Sequence, residues 1–249
     1  LSRELIVLIN NRLKHQFSIQ KIQLINFLLI AISPWHIQLS RIAHDAGYGL
    51  LLQILALFFL LYSLRVHKRL YVLISCILFG VSFYAYHAPR LTSGLLLLSC
   101  AFYFKQELKI YSKKYLLYCL VVFIISTIPI VIDYSLKPLG TTRFGGINIF
   151  IRNPNEKTNL YSLPNKISLN YLRQFNPKYL FIDSHNLRYF NVSSVGLFYI
   201  TDAIFILVGF YILPRKFRLI FITWLFIAAS PGALTSGLPN AGRIILGLP

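Results

Sequence analysis

Apolar residues in this chain come in long, nearly unbroken runs, and the polar residues gather between them. A helix crossing the hydrocarbon of a bilayer needs about 20 mainly apolar residues, with a range near 17–25. Seven runs are candidates: Ile22–Trp35, Gly47–Leu64, Leu70–Tyr86, Leu91–Phe104, Tyr115–Ile132, Val195–Leu213 and Leu219–Ala233. The first and fourth are short, and Lys21 and Lys105 beside them can snorkel to the headgroups. An eighth run is expected to begin near Ile244. The pattern predicts an all-α fold: a polytopic transmembrane helical bundle of about seven spans, one domain over residues 1–249, with a long loop at 134–194.

The charges between the runs give an independent test. Loops on one side carry 14 basic residues, in the groups around Lys21, Arg65–Arg69, Lys105–Lys114 and Arg215–Arg218. The short loops on the other side carry 3: Arg41, Arg90 and Arg243. Short cytoplasmic loops collect Lys and Arg, so the basic side is expected to be cytoplasmic and the loop at 134–194 extracytoplasmic. This implies a multi-pass protein of the cell membrane.

Composition sharpens that picture. The chain is 56% hydrophobic and 13% charged, about half the charge of an ordinary soluble domain. Its net charge of +18 would suggest nucleic acid in a soluble protein. Here the basic residues punctuate apolar runs instead of forming one patch, so a membrane is the expected partner and nucleic acid is not. Cys76, Cys100 and Cys119 lie within apolar runs without CxxC spacing, and read as small lipid- or core-facing residues. The 249 residues include no Met and begin at Leu1, which reads as an internal fragment whose site is shared with residues outside it.

Gly140, Gly145, Gly146, Pro154, Asn155, Pro164 and Asn165 break the long loop into turns. Within it, Lys166–Phe175 has an imperfect apolar stripe and is expected to form a short helix, with Tyr171 and Tyr179 suited to a membrane interface. The segment is expected to lie on the membrane or cap a cavity. No internal repeat of the kind found in inverted-repeat transporters is visible.

The short loops of the less basic side hold the candidate chemistry. They read Ser33-Pro-Trp-His-Ile-Gln-Leu-Ser-Arg-Ile-Ala-His-Asp45, Tyr84-Ala-Tyr-His-Ala-Pro-Arg90 and Gly237-Leu-Pro-Asn-Ala-Gly-Arg243. Three guanidinium groups converging there would suit a phosphate, which Arg binds through paired charge-assisted hydrogen bonds. Equally, each Arg could anchor a helix end among headgroups. Asp45 is open to three roles: metal ligand, base, or ion-pair partner of Arg41 one turn earlier. His36, His44 and His87 lie at the same level, with separations that form no metal pattern. Asp202 is placed about a third of the way into the sixth run, where a carboxylate is either functional or paired in helix packing.

Several of these strings, taken together, resemble the GT-C superfamily of membrane glycosyltransferases. The likeness is to the family 39-like branch, related to protein O-mannosyltransferases and the lipid A aminoarabinose transferase. Ser33-Pro-Trp-His-Ile-Gln-Leu-Ser-Arg41 followed by Asp45 resembles a signature of that group, and Phe83-Tyr-Ala-Tyr-His-Ala-Pro-Arg90 looks like its YxYHxxR segment. Similar stretches follow in order at Arg143–Phe150, Asn170–Phe181 with Asn186–Arg188, and Pro231–Arg243. The resemblance implies an enzyme of the bacterial inner membrane. It would move a hexose or pentose from a polyprenyl-phosphate donor to a lipid, glycan or protein acceptor on the extracytoplasmic face. It assigns substrate binding to Arg41, Tyr86, His87, Arg90 and Arg243, and a catalytic or acceptor-orienting place to Asp45, with a divalent metal left open. In that superfamily the main catalytic carboxylate lies in the first outer loop, expected upstream of residue 1, so the fragment alone is expected to be inactive. His44 departs from the aromatic more usual there. A transporter or flippase of lipid-linked sugars is the alternative from another class.

Overall fold

A computed structural model describes residues 4, 7, 18–42, 45–136, 163–182 and 196–235. Among the described residues the fold is helical, and each of the seven apolar runs contains a helix. In chain order these are α1 (Ile19–Ile32), α2 (Pro34–Ile42), α3 (Asp45–Val66), α4 (Arg69–Ala85), α5 (His87–Tyr103), α6 (Lys113–Leu136), α7 (Leu163–Gln174), α8 (Ile200–Ile212) and α9 (Arg215–Ala233). A 3-10 turn at Glu107–Ile110 joins α5 to α6, and a π turn occupies Lys178–Ile182. Three helical stretches, Asp45–Val66, Lys113–Asp133 and Arg215–Ala233, are long and apolar enough to cross a membrane by length and composition. At 17 residues each, α4 and α5 rise about 26 Å, somewhat less than the hydrocarbon of a typical bilayer.

The first apolar run does not continue as one helix to Trp35: Pro34 has no N–H to donate and drives Ser33 out of the helical region. Ser33 is extended, α1 stops at Ile32, and a second helix begins at Pro34. The sixth run starts later than its apolar edge, because Gly196–Tyr199 is non-helical and the helix begins at Ile200. The short helix expected at Lys166–Phe175 is present as α7.

At the centre lie α3, α4 and α5, with α6 packed on α4, α9 on α5 and α7 on α9. Their shared core includes Leu57, Leu60, Cys76, Phe79, Leu96 and Cys100. The three cysteines are buried and free, filling small gaps between apolar neighbours. Burial follows position in the bundle. Half of the most apolar stretch of α3 is inside, against 11% for α6, whose outer face presents Leu117, Val121, Ile125, Ile128 and Ile132. An apolar helix with so little burial suits contact with lipid chains.

Turns between helices are short and built from ordinary chemistry. His67 closes α3 in the left-handed region (φ 57) and donates its N–H to Ser63 O at 2.8 Å, a role more often given to Gly. At this basic end Tyr111 Oη donates to Ser63 O at 2.8 Å and Tyr115 Oη to Arg69 O at 2.7 Å. Lys216 of α9 reaches Glu107 at 2.7 Å and lies over the Phe104 ring. The ends of α3 and α5 and the starts of α4, α6 and α9 therefore meet.

Candidate functional site

The opposite end of the bundle carries the motif residues. Tyr86 adopts extended backbone between α4 and α5, so the chain reverses within one residue. Its ring lies against that of His87, with centroids 3.8 Å apart. Pro89 falls in the first turn of α5, where a missing N–H leaves no helix bond unmade. That proline meets α3 at Gly49: a Cβ built on Gly49 would lie 2.6 Å from Pro89 Cγ. The contact draws together the starts of two helices. Asp45 is the first residue of α3, one turn before Gly49, and its side chain is exposed; Arg90 directly follows Pro89. Both helix starts add positive potential at this end.

Arg90 is half-buried, and its Nε donates to Phe83 O in the last turn of α4 at 3.0 Å. The bond satisfies a carbonyl near the C-terminus of one helix from the first turn of the next, and it fixes the guanidinium plane. Four of the six residues singled out in the sequence, Asp45, Tyr86, His87 and Arg90, thus share one end of the molecule. For Arg41 the backbone belongs to α2, while its side chain lies outside the described residues, as do Arg243, His44 and the motif stretches at 143–150 and 186–188. The convergence of three guanidinium groups and the Arg41–Asp45 ion pair fall outside the described residues for the same reason. Among the described residues no group of three His, Cys, Asp or Glu could hold a metal ion.

Two expectations are corrected here. Asp202 is not well inside a span: it lies in the first turn of α8, accepting the Tyr199 N–H at 2.9 Å. An acid is common at that place because it caps free N–H groups and meets the positive end of the helix. Tyr179 is 5% exposed and belongs to the core rather than to an interface. Tyr171 stacks on Phe226 of α9 (5.9 Å, 7°) and donates to its carbonyl oxygen at 3.0 Å. Burial pushes its phenol up to about 12, so the donor proton stays in place at any ordinary pH.

Sequence reasoning passed over two features. Trp35 is 2% exposed and packs edge-on against Phe198 at 5.4 Å, while Phe198 N–H donates to Leu180 O at 2.8 Å. The tryptophan of the Ser33-Pro-Trp-His string therefore clamps the π turn and the chain entering α8. Beneath the motif end runs a buried polar chain. Gln53 Nε2 donates to Thr92 Oγ1 and to Ser93 Oγ, each at 2.7 Å, and Ser93 Oγ shares a 2.7 Å hydrogen bond with Ser82 Oγ. These four residues join α3, α5 and α4. Only the presence of a glutamine inside an apolar run could have pointed to them.

Comparison with protein-family models, with curated proteins and with solved structures finds no match to the chain.

Proposed function

We propose that the protein is a membrane glycosyltransferase that takes a sugar from a polyprenyl-phosphate donor and passes it to an acceptor at the membrane surface bearing Arg90. In this reading all seven helical runs cross the bilayer of a bacterial inner membrane, and the basic end faces the cytoplasm. The observation that carries it is the Gly49–Pro89 contact, which sets Asp45 and Arg90 on neighbouring helix starts at one end of the bundle. Likeness of the loop strings to the GT-C superfamily supplies the substrate class.

The chemistry suits such a place. An acceptor oxygen attacks the anomeric carbon, the bond from that carbon to the phosphate oxygen breaks, and the electron pair goes to the phosphate. A guanidinium held in a fixed plane beside two helix starts offsets that developing charge without reorganising. Asp45, exposed at the neighbouring helix start, would orient the acceptor. The acceptor proton would go to a carboxylate base, the role that the GT-C likeness implies. A carrier with a long apolar chain requires the site to be within reach of lipid, which the exposed apolar faces provide.

Membranes bearing the whole protein, incubated with a radiolabelled polyprenyl-phosphate sugar, test the proposal. Arg90→Ala should lower transfer by roughly 10²–10³-fold, the usual effect of removing one charge-stabilising donor. Because Arg90 also closes the end of α4, thermal stability in detergent is measured alongside. Arg90→Lys keeps the charge and should recover part of the activity. Undiminished transfer by Arg90→Ala would remove the phosphate-binding role. A transporter, the alternative, would draw on acids deep within a span, and the Asp202 carboxylate instead caps its own helix.

A further inference from the structure

The basic end has a property that the transferase reading does not use. Its acids are already committed: among the described residues Glu107 pairs with Lys216 at 2.7 Å, and the buried Glu4 with Arg65 at 3.2 Å. The cations that remain face outward. Lys68, Arg69, Lys105, Lys109, Lys113 and Lys114 are all exposed. They do not sit on loose chain. In the α5–α6 connection Leu108 and Tyr111 are buried in the core, and Tyr111 is tied to Ser63 at the end of α3. Tyr115 is tied to Arg69, whose guanidinium lies over its ring. Two basic turns are thus stitched into one surface. Around it Phe102, Ile110, Leu117 and Tyr118 are exposed, an apolar rim suited to acyl chains.

We propose that this surface docks the headgroups of anionic phospholipids, the α3–α4 turn and the α5–α6 connection forming one lysine- and arginine-rich seat. Charge complementarity favours an anion, since the neighbouring carboxylates are spent on internal ion pairs. The exposed apolar rim favours one carrying acyl chains over a soluble phosphate. Each Lys or Arg near an anionic membrane surface typically adds about fivefold to binding, weakening as salt screens it. The inference is independent of the transferase reading and would survive its failure.

The test uses the purified protein, delipidated in a neutral detergent and then exposed to cardiolipin or to phosphatidylcholine, with bound lipid counted by native mass spectrometry. Cardiolipin should be retained about tenfold more than phosphatidylcholine. The variant Lys105→Gln/Lys109→Gln/Lys113→Gln/Lys114→Gln should lose that preference, and Lys68→Gln/Arg69→Gln should weaken it. All six side chains are exposed, so unchanged thermal unfolding is expected and is measured alongside. Lys166→Gln/Arg173→Gln/Lys178→Gln, at the other end, should retain the lipid as the parent does. Equal retention of both lipids, undiminished cardiolipin on the quadruple variant, or its displacement by excess soluble glycerol phosphate would each overturn the proposal.

Discussion

Gln53 is 1% exposed in a helix whose buried face is otherwise mainly Leu and Ala. A buried amide without partners is costly, and both of its N–H donors are spent, on Thr92 and Ser93. Interhelical hydrogen bonds within membranes are worth about 0.6 kcal/mol on average and up to about 1.7. Gln53→Leu removes two of them and leaves hydroxyls of α5 to find new partners. Unfolding of the purified protein in detergent should show a loss of about 1–3 kcal/mol. A neutral result would mean that apolar packing alone holds α3 against α5. The same residue explains a gap in sequence reading. A polar side chain within an apolar run is visible, but its partners lie 39 and 40 positions away, and no local pattern announces them.

At the scale of elements, α7 is held on α9 by close approach. A Cβ built on Gly232 would fall 2.7 Å from Gln174 Cδ, and Asn170 Nδ2 donates to Thr235 O at 3.1 Å. Gly232→Ala should push the buried Gln174 aside and loosen α7. Trypsin cleavage after Lys166 and Arg173 should then become severalfold faster, while Gln174→Ala on the same background restores slow cleavage. Unchanged cleavage in Gly232→Ala would show that the glycine is not what lets α7 dock. Helix existence was legible in the sequence because long apolar runs have few other outcomes. Boundaries were less so. Hydrophobicity continues through Ser33–Trp35 and Val195–Tyr199, while the backbone is governed by Pro34 in the first and, at Gly196–Phe198, by contacts of the non-helical chain in the second. Asp202 was misplaced for the same reason: measured from the apolar edge it looks deep, but measured from Ile200 it lies in the first turn.

Across the whole molecule, two ends of different chemistry are separated by the length of the bundle. One is densely cationic with its acids internally paired. The other gathers Asp45, Tyr86, His87 and Arg90 through the meeting of α3 and α5. The motif strings placed these four residues on one side of the membrane, an expectation resting only on loop charge and the alternation of runs. Their link through Gly49 and Pro89, and the tie from Arg90 to Phe83, required three-dimensional packing. Single-cysteine accessibility tests the two-ended arrangement most directly, in a Cys76→Ala/Cys100→Ala/Cys119→Ala background. With a membrane-impermeant maleimide on spheroplasts, Asp45→Cys should label at once. Lys109→Cys should label only after the membrane is permeabilised. Labelling of both positions from the same side would contradict the bundle's orientation and, with it, a transfer site outside the cell membrane.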